Sequence, residues 1–153
     1  VGELVRNIRF LLATGFGVGY SPVAPGTAGS LLTLLVFCIL YPLPLWIILV
    51  TLLFLFFLGI FSAGVVEREK GKDPSIVVID EMVGMGISLI SIPPNWILFL
   101  VAFMLFRFFD IMKPPPINRL QKLPGAWGIM LDDVIAGAYA LILTHLMKII
   151  FFS

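Results

Sequence analysis

The chain has 153 residues and a mass of 16.9 kDa, enough for one domain or a handful of membrane helices and too little for two independent globular units. It is 60% hydrophobic and 12% charged, with a mean hydropathy of +1.11, whereas soluble domains run at about 45–50% apolar and about 25% charged; a soluble globule is excluded. Ten basic side chains against nine acidic ones leave a net charge of +1, which supplies no nucleic-acid-binding surface and removes DNA and RNA as partners.

In chain order, residues 3–13 place Leu4, Val5, Ile8, Leu11 and Leu12 on one helical face and Glu3, Arg6 and Asn7 on the other. That pattern predicts an amphipathic helix lying on the bilayer surface. No short apolar core here ends in a small-residue cleavage site, so a cleaved signal peptide is not expected. From Phe10 to Val66 no charged residue occurs, and the run is interrupted first by the Gly/Pro-rich stretch Gly15–Gly29 and then by Tyr41-Pro42-Leu43-Pro44. Two spans follow, a short one over about Thr27–Leu40 and a long one over about Leu45–Val66. The single cysteine, Cys38, lies in the first, so no intrachain disulfide or thiolate metal cage is available, and it reads as a small buried hydrophobe. A second uncharged run, Met82–Phe106, is split by Pro93-Pro94-Asn95 into spans over about Val77–Ile92 and Trp96–Met112. The last span covers about Asp132–Phe152. The expected architecture is therefore all-α: a polytopic membrane bundle of about five transmembrane helices plus an interfacial helix, with residues 1–153 forming one domain.

With five spans, Arg6, Arg9, Arg68, Lys70, Lys72, Arg107, Lys113, Arg119 and Lys122 fall toward one side and only Lys148 toward the other. The first side is expected to be cytoplasmic. Ionisable groups inside hydrophobic helices cost roughly 2.5–3.5 kcal/mol each on insertion scales unless paired or in a polar cavity, yet this chain gathers several at one level. Asp80 and Glu81 open the third span, Arg107, Asp110 and Lys113 follow i, i+3, i+6 spacing at the end of the fourth, and Asp132 and Asp133 open the fifth. The four carboxylates Asp80, Glu81, Asp132 and Asp133 suit a hard divalent cation, Mg2+ first. Arg107 and Lys113 suit phosphate oxygens. The competing reading is an ion-pair network that locks the helices together.

The segment Gly15–Ser30 combines glycines that admit a close backbone approach with Pro25 at a helix start and Thr27 as a candidate cap. Free amides there could meet an anion; equally, the stretch could be an ordinary membrane-entry loop. The sole histidine, His145, lies far from the charged level, so Ser-His-Asp chemistry has no support and a packing role is expected. A divalent-cation transporter is the alternative from a different class, but it calls for charge near the midplane or on both faces.

The strings GFGVGYSPVAPGTAGS, VIDEMVGM, FRFFDIMKPPPI and GAWGIMLDDVIAG, in this order and spacing, resemble the signature segments of the phosphatidylglycerophosphatase A family of bacterial inner-membrane lipid phosphatases. The resemblance runs from about Gly15 to Gly137. It implies Mg2+-dependent removal of the terminal phosphate of phosphatidylglycerol phosphate, with a phospholipid substrate met in the bilayer. It also implies that Asp80, Glu81, Arg107, Asp110, Lys113, Asp132 and Asp133 occupy the family's acidic and basic motif positions, with Gly26 and Thr27 in its Pro-Gly-Thr segment. On this reading Asp80, Glu81, Asp132 and Asp133 are the expected metal ligands. Arg107 and Lys113, with Gly26, Thr27 and Ser30, are the expected phosphate contacts, and Asp110 is expected to orient a water or base beside Asp133. Direct attack by water and an aspartyl-phosphate intermediate both remain open, as does action on another lipid phosphate.

Overall fold

The computed structural model describes residues 1–153 and is all-helical: α1 (Gly2–Ala13), α2 (Pro25–Leu40), α3 (Leu45–Lys70), α4 (Ile79–Ser88), α5 (Trp96–Met112), α6 (Ile117–Leu120) and α7 (Ala126–Phe152), with a 3-10 turn at Val18–Tyr20. Local chemistry sets the boundaries. Pro25 occupies the first turn of α2, where its missing N–H costs nothing. The Asn95 side chain accepts from the N–H groups of Ile97 (2.9 Å) and Leu98 (3.3 Å), capping α5. Lys113, in the left-handed region at φ 46°, ends α5 immediately before Pro114-Pro115-Pro116.

The short helix α4 is the centre of the bundle. One core cluster joins its Met85 and the following Leu89 and Ile92 to Leu98, Phe106 and Ala136 of α5 and α7; the other joins its Ile79 and Val83 to Ala63, Val66 and Met130 of α3 and α7. Helices α2 and α3 both pack on α4 and scarcely touch each other. Where α4 unwinds, His145 of α7 lies 3.1 Å from the Ile90 carbonyl oxygen, which gives the expected packing histidine a defined partner.

The helices differ from expectation in three places. Helices α3 and α7, of 26 and 27 residues, are the two long and apolar enough to cross a membrane; at about 1.5 Å per residue they exceed the roughly 30 Å hydrocarbon core. The third expected span, Val77–Ile92, is a helix only over Ile79–Ser88. Beyond Ser88, tighter bonds such as Leu89 N–H to Gly86 (3.2 Å) and Ile92 N–H to Leu89 (3.1 Å) take over, and Ser91 enters the left-handed region at φ 57° ahead of Pro93. The last helix starts at Ala126, on Gly125 at φ 63°, so Asp132 and Asp133 lie two turns inside it. Cys38 is exposed on α2 and is not core packing.

Helix α1 forms over the expected residues and packs on α3. Arg6 makes a two-point ion pair with Glu69, Nε to Oε1 at 2.7 Å and Nη2 to Oε2 at 2.9 Å, and the Arg9 guanidinium stacks 3.9 Å over the Phe61 ring. Leu4, Val5, Ile8 and Leu11 are left exposed.

Candidate active site

The charged side chains converge because α4 and α7 cross on glycine. A Cβ on Gly137 would lie 3.0 Å from the Gly84 carbonyl carbon and 3.1 Å from its Cα, and closer still to its oxygen. A Cβ on Gly84 would lie 2.5 Å from the Phe106 ring and 2.6 Å from the Asp133 carbonyl oxygen. Two backbones in contact here need two residues without side chains. Asp80 is one turn before Gly84 and Asp133 one turn before Gly137, so the crossing sets the two carboxylates against one another. These glycines were not among the expected site residues. The signal was in the sequence as a repeated spacing, Asp80-Glu-Met-Val-Gly84 and Asp133-Val-Ile-Ala-Gly137.

Asp80, Glu81 and Asp133 form the resulting cluster, one oxygen from each lying within 4.8 Å of the others. Asp80 Oδ1, Glu81 Oε2 and Asp133 Oδ2 are buried and have no hydrogen-bond donor. Three clustered carboxylates whose buried oxygens have no protein donor disfavour one another's ionisation, an arrangement suited to a cation shared among them. The donor set is all oxygen, which fits a hard divalent ion of the Mg2+ class.

Asp132, the fourth expected ligand, turns elsewhere. Its Oδ2 accepts from Lys113 Nζ at 2.5 Å, and its Oδ1 accepts from the Asp133 N–H at 2.9 Å. Burial works against the Lys113 ammonium, but the hydrogen bond to Asp132 and the fields of Asp132, Asp133 and Asp110 outweigh it and raise its pKa above the ordinary lysine value. The lysine is a fixed positive charge. Tyr139 of α7 donates to the Pro115 carbonyl at 3.0 Å, fastening the proline segment that carries Lys113 to the helix that carries Asp132.

Arg107 joins the two halves of the site. Its Nη1 donates to Asp110 Oδ2 one turn on, and lies 4.0 Å from Glu81 Oε1. Its Nε is buried without an acceptor. The start of α2 abuts this pair, since a Cβ on Gly26 would meet Glu81 Cδ at 3.0 Å and Arg107 Nη1 at 3.2 Å. Thr27 does not cap α2: Ala24 is the N-cap residue, and no side chain accepts from the first turn. The Gly26 and Thr27 amides have no backbone acceptor. Ser30, buried below them, donates to the Gly26 carbonyl at 2.8 Å and braces the turn. The geometry thus brings an anionic cluster, two cationic groups and unpaired amides together at one end of α2, α4 and α5.

The sequence profile of phosphatidylglycerophosphatase A matches residues 11–148. A Haemophilus influenzae protein named phosphatidylglycerophosphatase A is 44% identical over 93% of this chain and 90% of its own length. An Escherichia coli protein of the same name is 35% identical over 87% and 79%. A Bacteroides thetaiotaomicron protein provisionally named a phosphatidylinositol-3-phosphatase is 45% identical over 87% and 89%. No solved structure matches significantly. With the profile spanning nearly the whole chain and relatives of that name 35% and 44% identical over most of it, this protein belongs to the phosphatidylglycerophosphatase A family.

Proposed function

We propose that the protein hydrolyses the terminal phosphate monoester of phosphatidylglycerol phosphate, releasing phosphatidylglycerol and inorganic phosphate, at the cytoplasmic face of the bacterial inner membrane. The supporting observation is the set of three buried carboxylates with unpartnered oxygens beside Arg107 and Lys113. Asp80, Glu81 and Asp133 would hold Mg2+, which when bound supplies positive charge to the phosphate oxygens and lowers the pKa of a water. Arg107, bonded through Nη1 to Asp110 and facing Glu81, would offer the rest of its guanidinium to a phosphate oxygen. Lys113, kept protonated by Asp132, contributes a second positive charge as negative charge shifts to the leaving oxygen. The free Gly26 and Thr27 amides offer further donors at the start of α2. Asp110, already bonded to Arg107, orients the attacking water or its base. Asp132 acts through Lys113.

The lipid anchors its phosphate at headgroup depth, where groups at helix ends reach it without entering hydrocarbon. We read the chain as multi-pass, with α2 and α5 as shorter crossings beside α3 and α7, and with the central α4 completing its crossing through the turns after Ser88. The names of the relatives differ in headgroup but share a phosphate monoester on a glycerophospholipid, so the deciding assay compares headgroups. Purified protein should release phosphate from phosphatidylglycerol phosphate only with Mg2+, faster than from phosphatidylinositol 3-phosphate and far faster than from a soluble monoester. Preference for the inositol lipid would move the assignment to that headgroup; equal rates on the soluble ester would remove the lipid reading. Cysteines placed at Lys122 and Asn95 should label from opposite sides of the membrane.

A further inference from the structure

Helices α2 and α3 diverge from the turn that joins them, and between them runs an apolar groove of about 650 Å3 counted out to its open side. Val36 and Leu40 of α2 and Ile48 and Leu52 of α3 line its walls, and Met82 and Gly86 of α4 form its floor. No charged side chain lines it, and the Thr33 hydroxyl at its edge already donates to the Gly29 carbonyl at 3.1 Å. A polar ligand would find almost nothing to bond. Gly86 keeps the floor low, because a Cβ there would lie 2.5 Å from Leu52 Cδ2.

The groove lies along the same two helices, α2 and α4, that carry part of the candidate active site. Met82 follows Glu81 directly, and Gly86 lies about 9 Å further along α4 than Asp80, at about 1.5 Å per residue. On the other wall, Gly26 abuts Glu81 and Arg107, while Thr33 and Leu40 lie about 10 Å and about 21 Å further along α2. The end of the slot at Thr33 and Met82 is the one nearer the phosphate-binding groups, roughly one headgroup length away, and the rest runs along the apolar helices α2 and α3. We propose that this groove receives an acyl chain of the phospholipid substrate, so that the protein selects a lipid monoester by holding its tail as well as its phosphate. This rests on the reading of the protein as a lipid phosphatase. The groove is an open slot, not an enclosed pocket, and its lining matches hydrocarbon.

Two measurements test it. Val36→Trp would fill the groove, whereas Ile39→Trp, on the exposed surface of α2 outside it, serves as the matched control. In detergent micelles, Val36→Trp should lower kcat/KM for long-chain phosphatidylglycerol phosphate about tenfold, the contact of about two buried methylenes, and leave a short-chain, water-soluble analogue unaffected. Ile39→Trp should change neither. Unchanged long-chain turnover in Val36→Trp, or equal losses on both substrates, overturns the proposal. Separately, phosphatidic acid with a diazirine in its acyl chain should crosslink to Val36, Leu40, Ile48 and Leu52 of the wild-type protein, and excess phosphatidic acid should suppress this labelling where phosphatidylcholine does not. Even labelling around α2 and α3, or equal competition by phosphatidylcholine, assigns the groove to bulk lipid. Protection of these residues by self-association assigns it to a second copy; either result overturns the proposal. If the wild-type protein hydrolyses no lipid monoester, the proposed reaction fails while the crosslinking still decides the groove. If the groove fails, wild-type turnover stands.

Discussion

Gly137→Ala adds one methyl group at the point where α7 meets the backbone of α4. The new Cβ would overlap the Gly84 carbonyl oxygen and lie 3.0 Å from its carbon, where ordinary contacts begin at 3.4 Å, and these neighbours are backbone atoms that cannot rotate away. The helices must separate by roughly 0.5–1 Å, at a packing cost of about 1–3 kcal/mol. Alanine's better helix propensity returns about 1 kcal/mol, leaving a net loss near 1 kcal/mol, about 2–4 °C in Tm for a chain of this size. Activity should suffer far more. The same displacement moves Asp133 away from Asp80 and Glu81, and an error of about 1 Å in a reacting constellation costs about 100-fold in rate. Gly64→Ala is the matched control, since a Cβ there meets only Ala126 Cβ, at 3.7 Å; it should keep full turnover and gain slightly in Tm. Phosphate release and thermal melting on the same preparations provide both readouts. A Gly137→Ala protein that melts slightly lower yet turns over like wild type would show that the glycine crossing does not set the spacing of the carboxylates.

Asp133→Asn should abolish turnover yet raise the Tm of metal-free protein, because it removes one of three clustered acids that must be desolvated on folding; Mg2+ at about 100 times its Kd should stabilise wild type by about 2.7 kcal/mol and this variant hardly at all, and an equal thermal shift in both would place the ion elsewhere. Asp132→Asn should lower turnover through Lys113 while preserving the Mg2+-induced Tm shift, whereas loss of that shift would return Asp132 to the ligand set. Arg107→Lys should collapse turnover with little change in Tm, since a lysine cannot hold Asp110 and a phosphate oxygen with one planar fork; near-normal turnover with a lowered Tm would make Arg107 a structural lock.

The helical class and the level of the charged groups were legible because apolar runs punctuated by proline, with carboxylates confined to their ends, admit few other arrangements. The extent of α4 was not. Hydropathy continues smoothly from Met82 through Ile92, so nothing in composition distinguishes a helix from the tighter turns that follow Ser88; tertiary support from His145 and the approach to Pro93 decide it. The beginning of α7 was placed too late for a similar reason. Asp132-Asp133 looked like a polar entry to a span, but Gly125 starts the helix and two turns precede the acids. The partner chosen by each acid was likewise invisible in one dimension. Asp132 and Asp133 are neighbours in sequence, but successive positions on a helix point about 100° apart, which sends one to Lys113 and the other to Asp80 and Glu81.

The Val78 N–H donates to the Ala13 carbonyl at 2.9 Å, so the last residue of α1 is tied to the residue just before α4. Since α1 leaves its aliphatic face uncovered and anchors its arginines to α3, the depth at which it floats in a bilayer would be passed directly to the first turn of α4. On the proposed membrane reading, α1 would serve as a float, setting the height of Asp80 and Glu81 against the plane of phosphates from which a substrate would arrive.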